Sequence, residues 1–165
     1  MRPDSVKFGC GEYTAGQPMG TRLDRNELER LRDPKHSRSF WRLGTSQVVE
    51  HEFSGQFGHP SSYAFVQFEC APADDLSFEA RATWPSGVAK DYQTKLELAA
   101  AQGVADTLLE GVHQHSGCTI VLVAVRYDEI GSSEAAFMKA AKSAMQSLLA
   151  ARWTPVGRPQ TAGAP

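Results

Sequence analysis

Residues 118–151 read CTIVLVAVRYDEIGSSEAAFMKAAKSAMQSLLAA, and the two halves of this stretch obey different periods. Residues 120–125 are six apolar side chains in a row, mostly β-branched and too few for a lone helix. Such a run suits a central strand covered on both faces. Past a short loop, Ala136, Phe137, Ala140, Ala141, Ala144, Met145 and Leu148 recur at helical spacing and form one apolar stripe. Ser132 or Ser133 can cap the first amides, and Glu134 suits the positive end of the helix dipole. A buried strand, a tight turn and a helix laid back over a sheet are the expectation.

Working outward, residues 47–53 alternate, with Val49, His51 and Phe53 on one side and Val48, Glu50 and Glu52 on the other. Period two argues for a half-buried strand. A loop with Gly58 and Pro60 leads to a second strand over 63–70, with Ala64, Val66, Phe68 and Cys70 on one face. Asp74 and Asp75 read as a turn pair, and a third strand carries Leu76, Phe78, Ala80 and Ala82 inward. From Asp91, a candidate cap, Leu96, Ala99, Ala100, Gly103, Val104, Thr107 and Leu108 mark a helix that Gly111 ends. Gly103 inside that face costs about 1 kcal/mol against alanine, so close approach of the helix to the sheet or to the second helix is expected. The pattern predicts an antiparallel meander of three strands, then a fourth joined after a helical crossover. That is an α+β two-layer sandwich: a four-stranded sheet with two helices on one face.

The ends look different. Residues 1–20 are rich in Gly, Pro and small polar residues and read as a loose lead-in. Asp24 and Glu27 form a capping box for a short helix that stops before Pro34. Arg22, Arg25, Arg30 and Arg32, with Lys35 and Arg38 beyond, make the one basic cluster, read either as a solvated face or as an arm for an anionic partner. Residues 152–165 hold Pro155, Pro159 and Pro165 and read as a flexible tail.

The 165 residues suit one domain, and 41% hydrophobic with 22% charged is ordinary for a soluble globular protein. No apolar run approaches the roughly 20 residues that cross a bilayer, and the N-terminus has no apolar signal segment. Neither a membrane partner nor export is expected, which leaves a cytoplasmic location. Charge is uneven: residues 1–47 carry nine Lys/Arg against six Asp/Glu, a net of +3. Residues 48–150 carry six against thirteen, a net of −7, a poor match to a phosphate backbone.

Residues 49–151 resemble domain IV of the translational GTPases, of the elongation factor G and ribosomal protection protein type. The stretch Val49-Glu50-x-x-Phe53-x-x-Gln56-x-Gly58, continuing to Tyr63 and Val66, is similar to that family's first two strands. Pro72, Phe78-Glu79, Tyr92 and Gly103-Val104 continue the match. Its most specific piece is Arg126-Tyr127-Asp128 leading through Ser132-Ser133-Glu134-x-Ala136-Phe137. The resemblance implies the ribosomal protein S5 domain 2-like fold, with a left-handed crossover. It divides the chain into an N-terminal extension with a short basic helix (1–47), an elongation factor G domain IV-like domain (48–151) and the tail (152–165).

In that family the domain reaches into the small-subunit decoding site through two loops at one end. Here they correspond to residues 83–90 and 127–132, which makes Trp84, Pro85, Gly87, Lys90, Asp128 and Glu129 the candidate contacts. The second loop is shorter than the family's, lacks its histidine-bearing tip, and carries two acids instead. Trp84 reads either as a packing staple or as an exposed stacking side chain. No Gly-x-x-x-x-Gly-Lys-Ser/Thr phosphate loop occurs, so an arm without a GTPase motor is implied.

Other candidate chemistry is thin. His113 and His115 are two imidazoles without a third ligand in spacing, so loop histidines are preferred to a metal site. Cys70 and Cys118 suit small buried hydrophobes in strands, and His51 suits the core. No convergent acid–base set assembles, so neither an enzyme nor a cofactor is expected. Two readings remain: a ribosome- or structured-RNA-associated accessory factor, or a protein–protein interaction module, with a homodimer among its options, that uses an acidic surface.

Overall fold

A computed structural model describes residues 20–31, 39–55, 62–110 and 113–156. The expectations placed on residues 1–19, on Arg32, Lys35 and Arg38, on Gln56, Gly58 and Pro60, on Gly111 and on 157–165 lie outside the described residues. Along the chain run β1 (Arg22–Leu23), α1 (Arg25–Glu29), β2 (Ser39–Leu43), β3 (Gln47–Gly55), β4 (Ser62–Pro72), β5 (Ser77–Ala80), α2 (Lys90–Leu108), β6 (His113–Arg126), α3 (Glu134–Leu149) and β7 (Trp153–Val156). The fold is mixed α+β, and among the described residues its sheet has seven strands rather than four.

β6 is the axis. β4 lies antiparallel along one edge of it and β5 parallel along the other. Among the described residues β3 pairs with β4 alone, and β1 extends β5. The expected three-strand meander therefore does not form, because β6 inserts between β4 and β5. The apolar run that marks β6 suits it to be flanked on both edges, and the short β5 is displaced outward. The run is covered on one face only: Cys118, Ile120 and Leu122 are buried, whereas Val121 and Val123 are half-buried. The same alternation leaves Val48 62% exposed, opposite Glu69.

The first residues of β6, expected as a loop, are strand because β2 runs parallel beside them. β7 then pairs antiparallel with β2, so the tail reading fails over Trp153–Val156. Pro155 sits in that edge strand, where a missing N–H breaks no ladder. The indole N–H of Trp153 donates to the Leu148 carbonyl at 3.0 Å. Residues 20–31 likewise belong to the domain rather than to a separate extension: Leu28 is fully buried in the same core as Phe78, Leu96 and Phe137.

Local chemistry sets the helix starts. The Asp24 carboxylate accepts from the Glu27 amide at 2.9 Å and Glu27 accepts from the Asp24 amide at 2.8 Å, the expected capping box of α1. Ser133, not Ser132, caps α3 by accepting from the Ala136 amide. α2 starts after Ala89 without a side-chain cap. Asp91, expected there, lies in the first turn, where its charge suits the dipole. A Cβ on Gly103 would come within 2.6 Å of the Met138 carbonyl oxygen and 2.9 Å of Ala141 Cβ. Glycine thus lets α2 and α3 touch backbone to backbone. Among the described residues no helix is long and apolar enough to cross a membrane.

Candidate functional site at the two-loop end

Because β5 and β6 are parallel, the segments that follow them, residues 83–90 and 127–132, emerge at the same end of the sheet. They meet through aromatic rings. Tyr127 stands edge-on to Trp84 at 6.3 Å and to Tyr92 at 6.2 Å, and Trp84 packs on Phe137 at 5.6 Å.

Residues 127–132 form a closed turn. The Asp128 carboxylate accepts from the Gly131 amide at 2.6 Å, and the Ser132 hydroxyl accepts from the Asp128 amide at 2.8 Å. That hydroxyl donates onward to the Tyr63 carbonyl, while the Ser132 carbonyl accepts from the Tyr92 hydroxyl at 3.2 Å. Asp128 therefore spends part of its charge closing the loop, and Glu129 and Ile130 project, Ile130 76% exposed.

In residues 83–90 the structure resolves the two readings of Trp84 in favour of the staple. Its indole N–H donates to Glu97 Oε2 at 2.9 Å and its ring is half-buried. Glu97 is only 4% exposed, yet its other oxygen accepts from the Thr21 amide and hydroxyl, at 3.1 and 2.9 Å. Pro85, Gly87 and Lys90 are exposed, and Gly87 takes φ +101°, a left-handed conformation that favours glycine.

Between the loops and the β3–β4 pair lies an open groove of about 660 Å³, lined by Ser54, Ser62, Tyr63, Pro85, Arg126 and Asp128 among others. Arg126 lies over the Phe65 ring at 4.2 Å. Tyr63 donates to Glu52 at 2.8 Å, and burial, then that carboxylate, pushes its phenol pKa up. The Tyr92 phenol is pushed up by burial, then by Tyr127 and Glu134. Both stay protonated donors at neutral pH. This end can offer hydrogen bonds, aromatic edges and the cations Lys90 and Arg126 amid Asp91, Asp128, Glu129 and Glu134.

The basic residues expected on one helix are dispersed. Arg22 lies on β1, 3.8 Å from Glu79. Arg25 is turned toward the protein, bonded to Gln114 at 2.7 Å and Glu29 at 3.0 Å. Arg30 caps α1 and is exposed.

At the opposite end of β6, His115 packs between Trp41 and Trp153, and His113 stands edge-on to Trp41. Burial and the neighbouring His113 lower the His115 pKa. Among the described residues no three His, Cys, Asp or Glu side chains gather to hold a metal ion.

Sequence reasoning missed Thr21 and Glu97, and it named Tyr92 and Ser132 without a role at this site. Glu97 had a signal: it falls beside Leu96 and between Ala100 and Gln93 on the covered side of α2, where an unpaired acid would be costly.

No family model matches this chain, and no curated protein sequence matches it. The crystal structure of a Thermus thermophilus protein is similar, at 25% identity and a TM-score of 0.60. The match covers 74% of this chain and 18% of that one, so this chain spans under a fifth of its structural relative.

Proposed function

We propose that this chain is a non-catalytic, translation-factor-like domain that acts in the cytoplasm as a ribosome- or RNA-associated accessory factor. It resembles domain IV of elongation factor G, built on the ribosomal protein S5 domain 2-like core. The observation that carries the reading is the convergence of residues 83–90 and 127–132 at one end, stapled through Trp84, Tyr127 and Tyr92. The β3-β4-β6-β5 order and the helix pair behind it support it.

In this reading Pro85, Gly87, Lys90, Glu129 and Ile130 present the contact surface, and Arg126, exposed over the Phe65 ring, supplies a second cation. The test is sedimentation of the tagged protein with small ribosomal subunits and with structured RNA across a salt series. Binding that weakens steeply with salt is expected, as phosphate contacts require, and Lys90→Glu reduces it. No binding at low salt overturns the reading.

A second reading is favoured by the open sheet face, where Glu50, Glu52 and Glu69 are exposed around Val48. There the domain is a protein-interaction module. Co-purification of a basic protein partner, lost on Val48→Lys, would favour it.

A further inference from the structure

Thr21, Glu97 and Trp84 belong to three separate segments, and one buried carboxylate joins them. The geometry points to the N-terminal segment as a strap that sets the freedom of the two loops, with Glu97 as the coupling residue.

The connection is continuous. Thr21 donates two hydrogen bonds to one oxygen of Glu97, and Trp84 donates one to the other. The Trp84 ring then meets Tyr127, the first residue of the second loop, and Tyr92 ties that loop's last residues to α2. The strap lies close against β5: the Ala80 amide donates to the Thr21 carbonyl at 2.8 Å, and Gly20 leaves no room for a Cβ against the Ala80 carbonyl.

Its hold is nonetheless narrow. β1 has two paired residues, and Arg22 is 77% exposed at its side chain. α1 contributes one fully buried side chain, Leu28. Segments held by so few buried groups open at lower free energy than the core they cover. When Thr21 lifts, Glu97 keeps a buried charge with one donor where it had three. A carboxylate so stripped must recruit water or turn outward, and either movement disturbs the Trp84 indole it orients. The strap and the loops therefore share one equilibrium, in which whatever pulls residues 20–23 away loosens the contact surface. The functional meaning of that loosening rests on the two-loop reading above; the coupling itself does not.

Amide hydrogen exchange on the full chain tests it. Thr21→Val keeps the side chain's shape and removes one donor, and Glu97→Gln keeps its volume while making one oxygen an amide. Both are expected to speed exchange of the Asp128, Gly131 and Ser132 amides about tenfold, the effect of one lost hydrogen bond to a charged acceptor. The ladder amides between β4 and β6 should be unchanged. Unchanged loop exchange in Thr21→Val overturns the coupling, and so does equal acceleration everywhere, which signals plain destabilisation. Because exchange is read without ribosomes, a responding loop in a protein that binds no RNA sinks only the functional reading. A silent loop in one that does bind sinks only the strap.

Discussion

Replacing Gly103 by alanine puts the seam between α2 and α3 to a direct test. The added Cβ would lie 2.6 Å from the Met138 carbonyl oxygen, 2.9 Å from Ala141 Cβ and 3.2 Å from the Lys142 amide nitrogen. Two of those three neighbours are backbone and cannot swing aside, so the helices must part. Alanine gains about 1 kcal/mol in helix propensity. Forcing an extra carbon into a packed seam costs about 1–3 kcal/mol, and rigid backbone opposition puts this case toward the upper end. The net expectation is a loss of about 1–2 kcal/mol, or roughly 3–6 °C in Tm for a domain of this size. Urea unfolding followed by far-UV circular dichroism, with wild type alongside, reads it as a lower midpoint at unchanged slope. A midpoint equal to or above wild type would refute the reasoning, since propensity alone predicts a gain.

Leu28→Ala should cost about 2–5 kcal/mol, because it empties a fully buried site in the common core; a loss under about 0.5 kcal/mol on the same unfolding assay would mean that α1 is not docked. Stability should fall as pH drops below the ordinary histidine value of 6.5, since the unfolded chain takes up a proton that half-buried His115 resists. His115→Gln should flatten that slope, and an NMR titration midpoint for His115 at or above 6.5 would contradict it. Burial pushes the Cys70 thiol up to about 12 and raises Cys118 as well. Peptide mapping after iodoacetamide at neutral pH should find both unmodified in the native protein and both alkylated in urea; rapid native labelling of either counts against their burial.

Features governed by neighbours in sequence were legible. The Asp24–Glu27 box, a serine cap at 132 or 133, the alternation of β3 and the apolar stripe of α3 each arise from side chains a few residues apart. Gly103 was legible as a close approach because glycine in a helical face demands a reason. Features governed by distant partners were not. Nothing in residues 76–80 says whether they pair with β4 or with β6; β6 lies 33 residues beyond the end of β5. Residues 113–117 are polar enough to read as loop, and become strand because β2 supplies the ladder and Arg25 a partner for Gln114. Pro155 reads as a breaker until it is placed on an edge. At the candidate site, the resemblance to domain IV brought the two loops into view, but the inward turn of Trp84 depends on Glu97, thirteen residues onward, and on Thr21, sixty-three residues back.

β3 leaves one flank of its backbone unladdered among the described residues, over nine residues of extended chain. Such a flank invites self-assembly, yet its sequence discourages a copy of itself. A second chain laid antiparallel about His51 would set Glu50 against the partner's Glu52, and Glu52 against the partner's Glu50. Like charges directly opposite destabilise a pair, so that register is barred to the homodimer. An incoming strand that carries lysine or arginine at those places meets no such bar, and the flank thereby discriminates among suitors by charge.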